Sequence, residues 1–118
     1  MSEVDPHGTP PSAPGAKLDA GKAPVLRGAL RYFPRALTAI AEVSDFGAKK
    51  YTWNGWESVP DGINRYGDAL ARHMLVDGLD AQSGLSHAAH AAWNALARLE
   101  LILRQEEADQ SWVRTAAE

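Results

Sequence analysis

Apolar side chains recur every three or four residues along three stretches of this chain, which is the spacing of one face of an α-helix. The first stretch predicts a helix from about Pro34, a residue suited to an opening helical turn, to Ala48. A start near Leu26, with Pro34 as a kink, is the alternative. The second stretch predicts a helix that follows Asp61 as its N-cap and closes at Asp77-Gly78.

The third stretch is the longest, and it predicts a helix from Ser83, as the N-cap, to about Glu106. Its apolar stripe predicts a closely packed seam and consists of Leu85, Ala89, Ala92, Leu96, Leu99 and Leu103. No stretch has a convincing strand pattern. The sequence therefore predicts an all-α fold, a compact helical bundle of three main helices. Because three helices make a thin core, we expect a homo-oligomer, held partly by the third helix, to complete it.

The two ends of the chain differ in composition from the middle. Residues 1–15 are rich in proline, glycine and serine and carry almost no large apolar side chain, so we expect a disordered N-terminal segment. Residues 16–108 are predicted to form the all-α domain. Residues 109–118 are predicted to be a flexible C-terminal tail.

Composition and charge narrow the classes of function. The 118 residues carry a formal net charge of −3, so a nucleic-acid polymer is not an expected partner. Cysteine is absent, which excludes disulfides and thiolate metal sites. No segment resembles a signal peptide or reaches the roughly 20 apolar residues of a membrane span. We therefore expect a cytoplasmic protein that has no membrane partner.

The segment FGAKKYTWNGW, residues 46–56, concentrates cations and flat rings in a predicted loop. Aromatic rings stack on bases, and lysines hold phosphates as point charges. We therefore expect one wall of a nucleotide pocket here, formed by Lys49, Lys50, Tyr51, Trp53 and Trp56. Lys17 and Lys22 lie in a second basic loop and are also predicted to bind nucleotide. In the alternative interpretation, the tryptophans only fill the gap between the first two helices.

A line of histidine and amide side chains follows the third predicted helix, where a solvent face would normally carry lysine and glutamate. His87, His90 and Asn94 belong to this line, and we expect them to hydrogen-bond a nucleotide. Arg72 and His73 of the second helix are expected to face them across the pocket. In the alternative interpretation, these side chains bridge neighbouring helices. A metal ion shared by the two histidines of the third helix is the less favoured hypothesis.

Carboxylates supply a candidate metal site. Glu42 and Asp45 are three residues apart, which puts both on one helical face. Oxygen ligands at this spacing can hold a hard divalent cation, and Asp68 and Asp80 could join them. The sequence therefore predicts Glu42, Asp45 and Asp68 as catalytic residues, and these three with Asp80 as metal ligands. The same spacing also arises by chance in many helices.

Four blocks of the sequence occur in a specific order: KLDAGK, FGAKKYTWNGW, RYGDALARH and DAQSGLSHAAHAAWNALARLEL. Together, over about Lys17 to Arg104, they resemble the small phage dATP/dGTP diphosphohydrolases, a family related to the MazG-type all-α nucleotide pyrophosphohydrolases. The resemblance implies an oligomeric helical bundle that releases pyrophosphate from a purine deoxynucleoside triphosphate with Mg²⁺ or Mn²⁺. It also implies a role in adjusting nucleotide pools for phage DNA synthesis. Of the MazG-type carboxylate motifs, Glu42-x-x-Asp45 matches one, and Gln82 stands where a further carboxylate is expected.

These observations leave two main hypotheses. In the first, the chain is an enzyme in which a divalent ion on the carboxylates activates water, while the lysines and Arg72 neutralise the charge on the phosphoryl group. In the second, a non-catalytic phage nucleotide-binding protein uses the same loops to sequester a host signalling nucleotide without a metal. A purely structural helical protein is a third hypothesis.

Overall fold

The structure is a computed structural model that describes residues 3–117, with side chains described as far as residue 110. Three α-helices form its frame: α1, Pro34–Lys50; α2, Gly62–Met74; and α3, His87–Ala117. A π-helical turn, Leu26–Leu30, precedes α1, and a 3-10 turn, Gly55–Ser58, lies between α1 and α2. Residues 3–117 contain no β-strand, only an isolated bridge between Leu79 and Ser86. The predicted all-α fold with three main helices is confirmed.

The chain divides into two units, Met1–Pro34 and Arg35–Glu118. In the first unit, the nearly buried carboxylate of Asp5 accepts hydrogen bonds of 2.7 Å from the backbone N–H groups of His7 and Lys17. These donors, that of Lys17 above all, lower the pKa of Asp5. The turns at residues 6–7 and 11–15 thus belong to a hydrogen-bonded loop. Disorder of residues 1–15 stays a prediction.

In the second unit, α2 and α3 pack along each other in opposite directions. Glycines on α2 allow the close approach: a Cβ added at Gly62 would lie 2.9 Å from Leu101 Cδ1, and one at Gly67 would lie 3.2 Å from Arg98 Nε. At the other end of the pair, His73 meets His87. At the two glycines, the side chains of Leu101 and Arg98 of α3 lie directly against the backbone of α2.

The leucine stripe predicted as a seam does not form the core. Leu96, Leu99 and Leu103 are 46–50% exposed, whereas Ala97 is buried. The buried side of α3 combines alanines with His90 and Asn94, which are also buried. Leu96, Leu99 and Leu103 therefore lie on a different side of α3 from its buried residues. The polar line of α3 is an interior feature of the unit.

The ends of the helices differ from the sequence predictions in several details. The N-cap of α3 is Ser86 rather than Ser83, because Ser86 Oγ accepts the N–H of Ala89 at 3.0 Å. The helix runs on to Ala117 instead of ending near Glu106, since no glycine or proline interrupts it. α2 ends at Met74, before the predicted close.

Asp61 occupies the predicted N-cap position of α2, but it does not cap through its side chain. Its backbone is left-handed, with φ of 55°, and its carboxylate accepts a bond from Asn64 Nδ2 at 3.0 Å. No helix within the described part of the chain has the length and apolarity that crossing a bilayer requires.

We expect Ser86→Ala to lower the free energy of unfolding by about 0.5–2 kcal/mol, because the N–H of Ala89 loses its acceptor. Urea denaturation followed by far-UV circular dichroism measures the change. Ser86→Asp, which restores an acceptor, is the matched control and should retain most of the stability. Equal stability of Ser86→Ala and the parent would show that Ser86 does not cap α3.

Candidate functional site

An open cleft of about 970 Å³ lies in the second unit, between the C-terminal half of α1, the segment that follows it, α2 and α3. Its volume suits a nucleotide-sized ligand. Eight of the residues predicted to bind nucleotide or catalyse line it together: Lys50, Tyr51, Trp53, Trp56, Asp68, Arg72, His90 and Asn94. The cleft therefore combines exposed rings, cations and hydrogen-bonding groups on one concave surface.

Other predicted residues lie elsewhere. The Lys49 ammonium pairs with the Asp45 carboxylate at 2.8 Å, and neither residue lines the cleft. Glu42 is exposed on α1 and is also outside the cleft. Lys17 and Lys22 belong to the first unit, where Lys22 pairs with Glu3 at 3.5 Å.

The two tryptophans of the loop have different environments. Trp56 packs edge-on against Tyr66 and Trp93, with ring centroids 6.4 and 6.1 Å away, and the Tyr66 hydroxyl donates to the Trp56 carbonyl at 2.7 Å. Burial raises the pKa of Tyr66. Trp53, by contrast, is 63% exposed. Trp56 thus packs against α2 and α3, whereas the alternative interpretation placed both tryptophans between the first two helices. The ring of Trp53 is free to contact a ligand.

Trp93 is a cleft residue that sequence reasoning missed. Its indole Nε1 donates to Ser44 Oγ at 2.8 Å and so joins α3 to α1. The signal in the sequence is a tryptophan among the alanines at the start of the helix, three residues after His90 on the same inward side.

Beside the cleft, three histidines and an aspartate form a compact group, here called the histidine–aspartate cluster: His73, Asp80, His87 and His90. The Nδ1 atoms of His73 and His87 are 2.9 Å apart. The ring of His73 also stacks on that of His90, with centroids 4.7 Å apart and planes inclined by 12°. Because His90 lines the cleft as well, it joins the cluster to the cleft.

The loop between α2 and α3 delivers Asp80 to the cluster. It folds back through bonds from His87 N to the Gly78 carbonyl at 2.9 Å and from Asp80 N to the Leu85 carbonyl at 2.8 Å. Gly84 supports the turn with φ of +73°, in the left-handed region that favours glycine. Asp80 therefore meets histidines from the end of one helix and the start of the next.

Burial and hydrogen bonding lower the pKa values of three groups of the cluster, His73, Asp80 and His90. Burial, followed by the neighbouring His90 and His87, lowers the pKa of His73, and burial likewise lowers that of His90. The backbone N–H of Ser83 is the largest cause that lowers the pKa of Asp80. At neutral pH, His73 and His90 are therefore predominantly neutral and Asp80 is ionised.

Potential metal ligands converge at one place in the described residues. Atoms of His73, Asp80 and His87 that could ligate a metal all lie within 4.8 Å of one another. Asp80 was predicted as a ligand, whereas the two histidines were predicted to bind nucleotide. Glu42, Asp45 and Asp68 are outside this group. Spacing within one helix could not reveal it, because the three residues come from two helices and the loop between them.

Comparison with known proteins identifies a family whose model matches most of this chain. A family model described as "dATP/dGTP diphosphohydrolase, N-terminal" matches residues 12–111. A dATP/dGTP diphosphohydrolase of Salmonella phage PMBT28 is 38% identical over 82 residues, which cover 66% of this chain and 26% of the relative. The chain thus spans about a quarter of the length of that relative. No solved structure matches the chain.

Trp53→Ala and Trp56→Ala should differ in their effect on stability. We expect the first to change the free energy of unfolding by less than about 0.5 kcal/mol, because the ring is exposed. The second should cost about 2–4 kcal/mol, because it removes a ring packed against Tyr66 and Trp93. Chemical denaturation of both variants measures the difference, and equal losses would contradict this division of roles.

Proposed function

The chain belongs to the dATP/dGTP diphosphohydrolase, N-terminal, family, and on this premise we propose that it hydrolyses purine deoxynucleoside triphosphates to the monophosphate and pyrophosphate. The observation that carries the proposal is the adjacency of an aromatic, basic cleft and the histidine–aspartate cluster, which share His90. Such an enzyme would adjust phage nucleotide pools in the host cytoplasm. The relationship to MazG-type enzymes stays a prediction.

The base is proposed to enter the cleft beside its exposed rings. Tyr51 and Trp53 are 72% and 63% exposed, so both present faces on which a base can stack. Stacking of a base on an aromatic side chain contributes about 1–3 kcal/mol in single-strand binders. Asn94, buried at the cleft wall, already donates to the His90 carbonyl at 2.8 Å. Its amide oxygen is proposed to accept a hydrogen bond from the base.

The phosphates are proposed to lie toward the loop that carries Asp80. Lys50 supports this direction, because its ammonium reaches from α1 to Gln82 Oε1 at 3.2 Å. Gln82 is two residues from Asp80, so the ammonium stands between the cleft and the cluster. Arg72 lines the cleft from α2 and is one residue from His73. These two cations would neutralise charge as pyrophosphate leaves.

His73, Asp80 and His87 are proposed to hold the divalent ion. The family resemblance implies that this ion is Mg²⁺ or Mn²⁺. A bound divalent ion polarises a phosphoryl oxygen and lowers the pKa of bound water. Water would attack the α-phosphorus, the bond to the bridging oxygen would break, and pyrophosphate would leave. Asp68, the predicted catalytic carboxylate that lines the cleft, would accept the proton from water. Glu42 and Asp45 have no role in this proposal.

We retain the homo-oligomer as part of the proposal. The exposed Leu96, Leu99 and Leu103 support it, because they form one apolar line on α3 beside a groove that Ile40 and Trp93 also line. A second copy that covers this line would remove the leucines from water.

Incubation with each deoxynucleoside triphosphate and a divalent ion, followed by chromatography of the products, tests the function. We expect monophosphate and pyrophosphate from dATP and dGTP and little turnover of dCTP and dTTP. Intact nucleotide that co-elutes with the protein would instead support the sequestering alternative. The absence of both turnover and nucleotide binding would overturn the proposal.

Lys50→Ala should raise KM by about tenfold or more, since a hydrogen bond to a charged group contributes about 1.5–3 kcal/mol. Lys49→Ala is the matched comparison, because it removes the neighbouring lysine, whose ammonium is held by Asp45 outside the cleft. It should change KM by less than about twofold. Equal effects of the two substitutions would contradict the proposed phosphate position.

Leu99→Glu should convert the proposed oligomer to a monomer, because it places a charge in the middle of the exposed apolar line. Light scattering coupled to size-exclusion chromatography measures the mass of each species. An exposed position away from the leucines, Glu107→Gln, is the control and should leave the mass unchanged. A parent protein that is monomeric at micromolar concentration would contradict the assembly.

A further inference from the structure

We infer that the histidine–aspartate cluster is a site for a nitrogen-preferring divalent transition-metal ion, from the iron-to-zinc series, and that it discriminates against Mg²⁺. The inference uses the same residues as the proposed function and names the class of ion that they take. It does not depend on hydrolysis, because metal binding is measurable without a nucleotide.

The donor set supports this class of ion. His73 and His87 offer imidazole nitrogens, and Asp80 offers a carboxylate oxygen. Mg²⁺ strongly prefers oxygen ligands and gives up its waters reluctantly, whereas imidazole suits zinc, iron, nickel and copper. Two imidazoles with one carboxylate are a known protein donor set for zinc and for ferrous iron. A site built for Mg²⁺ would be expected to present more than one carboxylate.

The separation of the two imidazoles also fits a shared ion. Two nitrogens bound to one zinc ion at about 2.0–2.1 Å with a tetrahedral angle lie about 3.3 Å apart. The Nδ1 atoms of His73 and His87 are 2.9 Å apart, so a small opening of the pair would accommodate the ion. In the absence of an ion, one of these nitrogens must carry a proton and donate it to the other. An ion would replace that proton and use both lone pairs.

Hydrogen bonds around the cluster fix the orientation of the ligands without covering them. Asp80 Oδ1 accepts from the N–H of Gln82 at 3.1 Å, the N–H of Ser83 at 2.9 Å and the Ser83 hydroxyl at 3.1 Å. The same hydroxyl is 2.7 Å from His90 Nε2. All three of these bonds use Oδ1, and Oδ2 is available to a metal.

His90 completes this support, because its ring stacks flat on His73 and holds the orientation of that imidazole. Such outer partners of metal ligands tune affinity, and their loss typically weakens binding by about 10–100-fold. The three ligating residues are half-buried rather than enclosed. Three protein ligands with partial exposure leave coordination positions for water or a phosphate oxygen, which is the arrangement of catalytic sites.

The test measures metal binding to chelator-treated full-length protein by calorimetry with Zn²⁺, Mn²⁺ and Mg²⁺, and by the visible absorption of added Co²⁺. We expect one Co²⁺ or Zn²⁺ per chain, bound at least about 100-fold more tightly than Mg²⁺. Excess Mg²⁺ should not bleach the Co²⁺ spectrum. This competition uses the unmodified protein, so it stands even if a variant fails to fold.

Substitutions then assign the ligands. His73→Gln and His87→Gln should each weaken Zn²⁺ binding by about 100-fold or more, and Ser83→Ala by about 10–100-fold. His7→Gln removes the histidine of the first unit and is the matched control, so it should bind as the parent does. Binding of Mg²⁺ as tight as that of Zn²⁺, or loss of binding in His7→Gln alone, would overturn the inference.

The outcomes separate the two proposals. Hydrolysis supported by Mg²⁺ in a protein that binds no transition metal would overturn the metal inference and leave the proposed function standing. If the protein binds Zn²⁺ tightly, His87→Gln abolishes this binding and no nucleotide is hydrolysed, the metal inference stands and the proposed function is overturned.

Discussion

The close approach of α2 to α3 is the constraint on which the second unit depends. Where α2 has Gly62 and Gly67, no Cβ separates it from α3, and Leu101 and Arg98 lie against its backbone. The glycines make room for these two long side chains, and farther along the same contact α3 presents smaller groups. The contact between the two helices buries His90 and Asn94, and it brings His87 to the end of α2, where His87 meets His73.

The cleft has the opposite origin, because bulky groups separate α1 from the other helices. The Trp93 indole spans the distance to Ser44, and Phe46 meets the edge of the His90 ring with centroids 6.2 Å apart. Rings used as spacers leave an open volume between them, which packed aliphatic side chains would fill. The chemistry of the site thus depends on a tight interface and an expanded one that share His90.

Periodicity in the sequence was sufficient for the fold class, because α1 and α2 begin where Pro34 and Asp61 indicated. It could not decide which side of α3 meets α2. Leu96, Leu99 and Leu103 have the spacing of a core stripe, but the side of α3 that is buried depends on how α2 packs against it, and that is a tertiary effect. Similarly, both Ser83 and Ser86 are suitable caps, and only the folded loop assigns Ser86 to the helix.

The candidate site was predictable in part. Cations and rings in residues 46–56 marked the cleft wall, and Lys50, Tyr51, Trp53 and Trp56 all line it. The histidine–aspartate cluster could not be predicted, because its ligands come from two helices and the loop between them. The spacing of residues within one helix does not encode the geometry of that loop. Asp80 was predicted as a metal ligand, but the other predicted ligands were carboxylates, whereas its neighbours in the structure are histidines.

Arg104 gives α3 a mechanical role. Its guanidinium lies 5.4 Å from the ring of Trp56 and pairs with Glu57 at 3.5 Å, so it clamps the 3-10 turn to the helix. His87, at the first turn of the same helix, is about 26 Å away along the axis at 1.5 Å per residue. One continuous helix therefore carries His87 and His90 as well as the Arg104 contacts at the edge of the cleft. Residues 51–54, which are exposed and outside the helices, form a part of the cleft wall that can move without displacing α3.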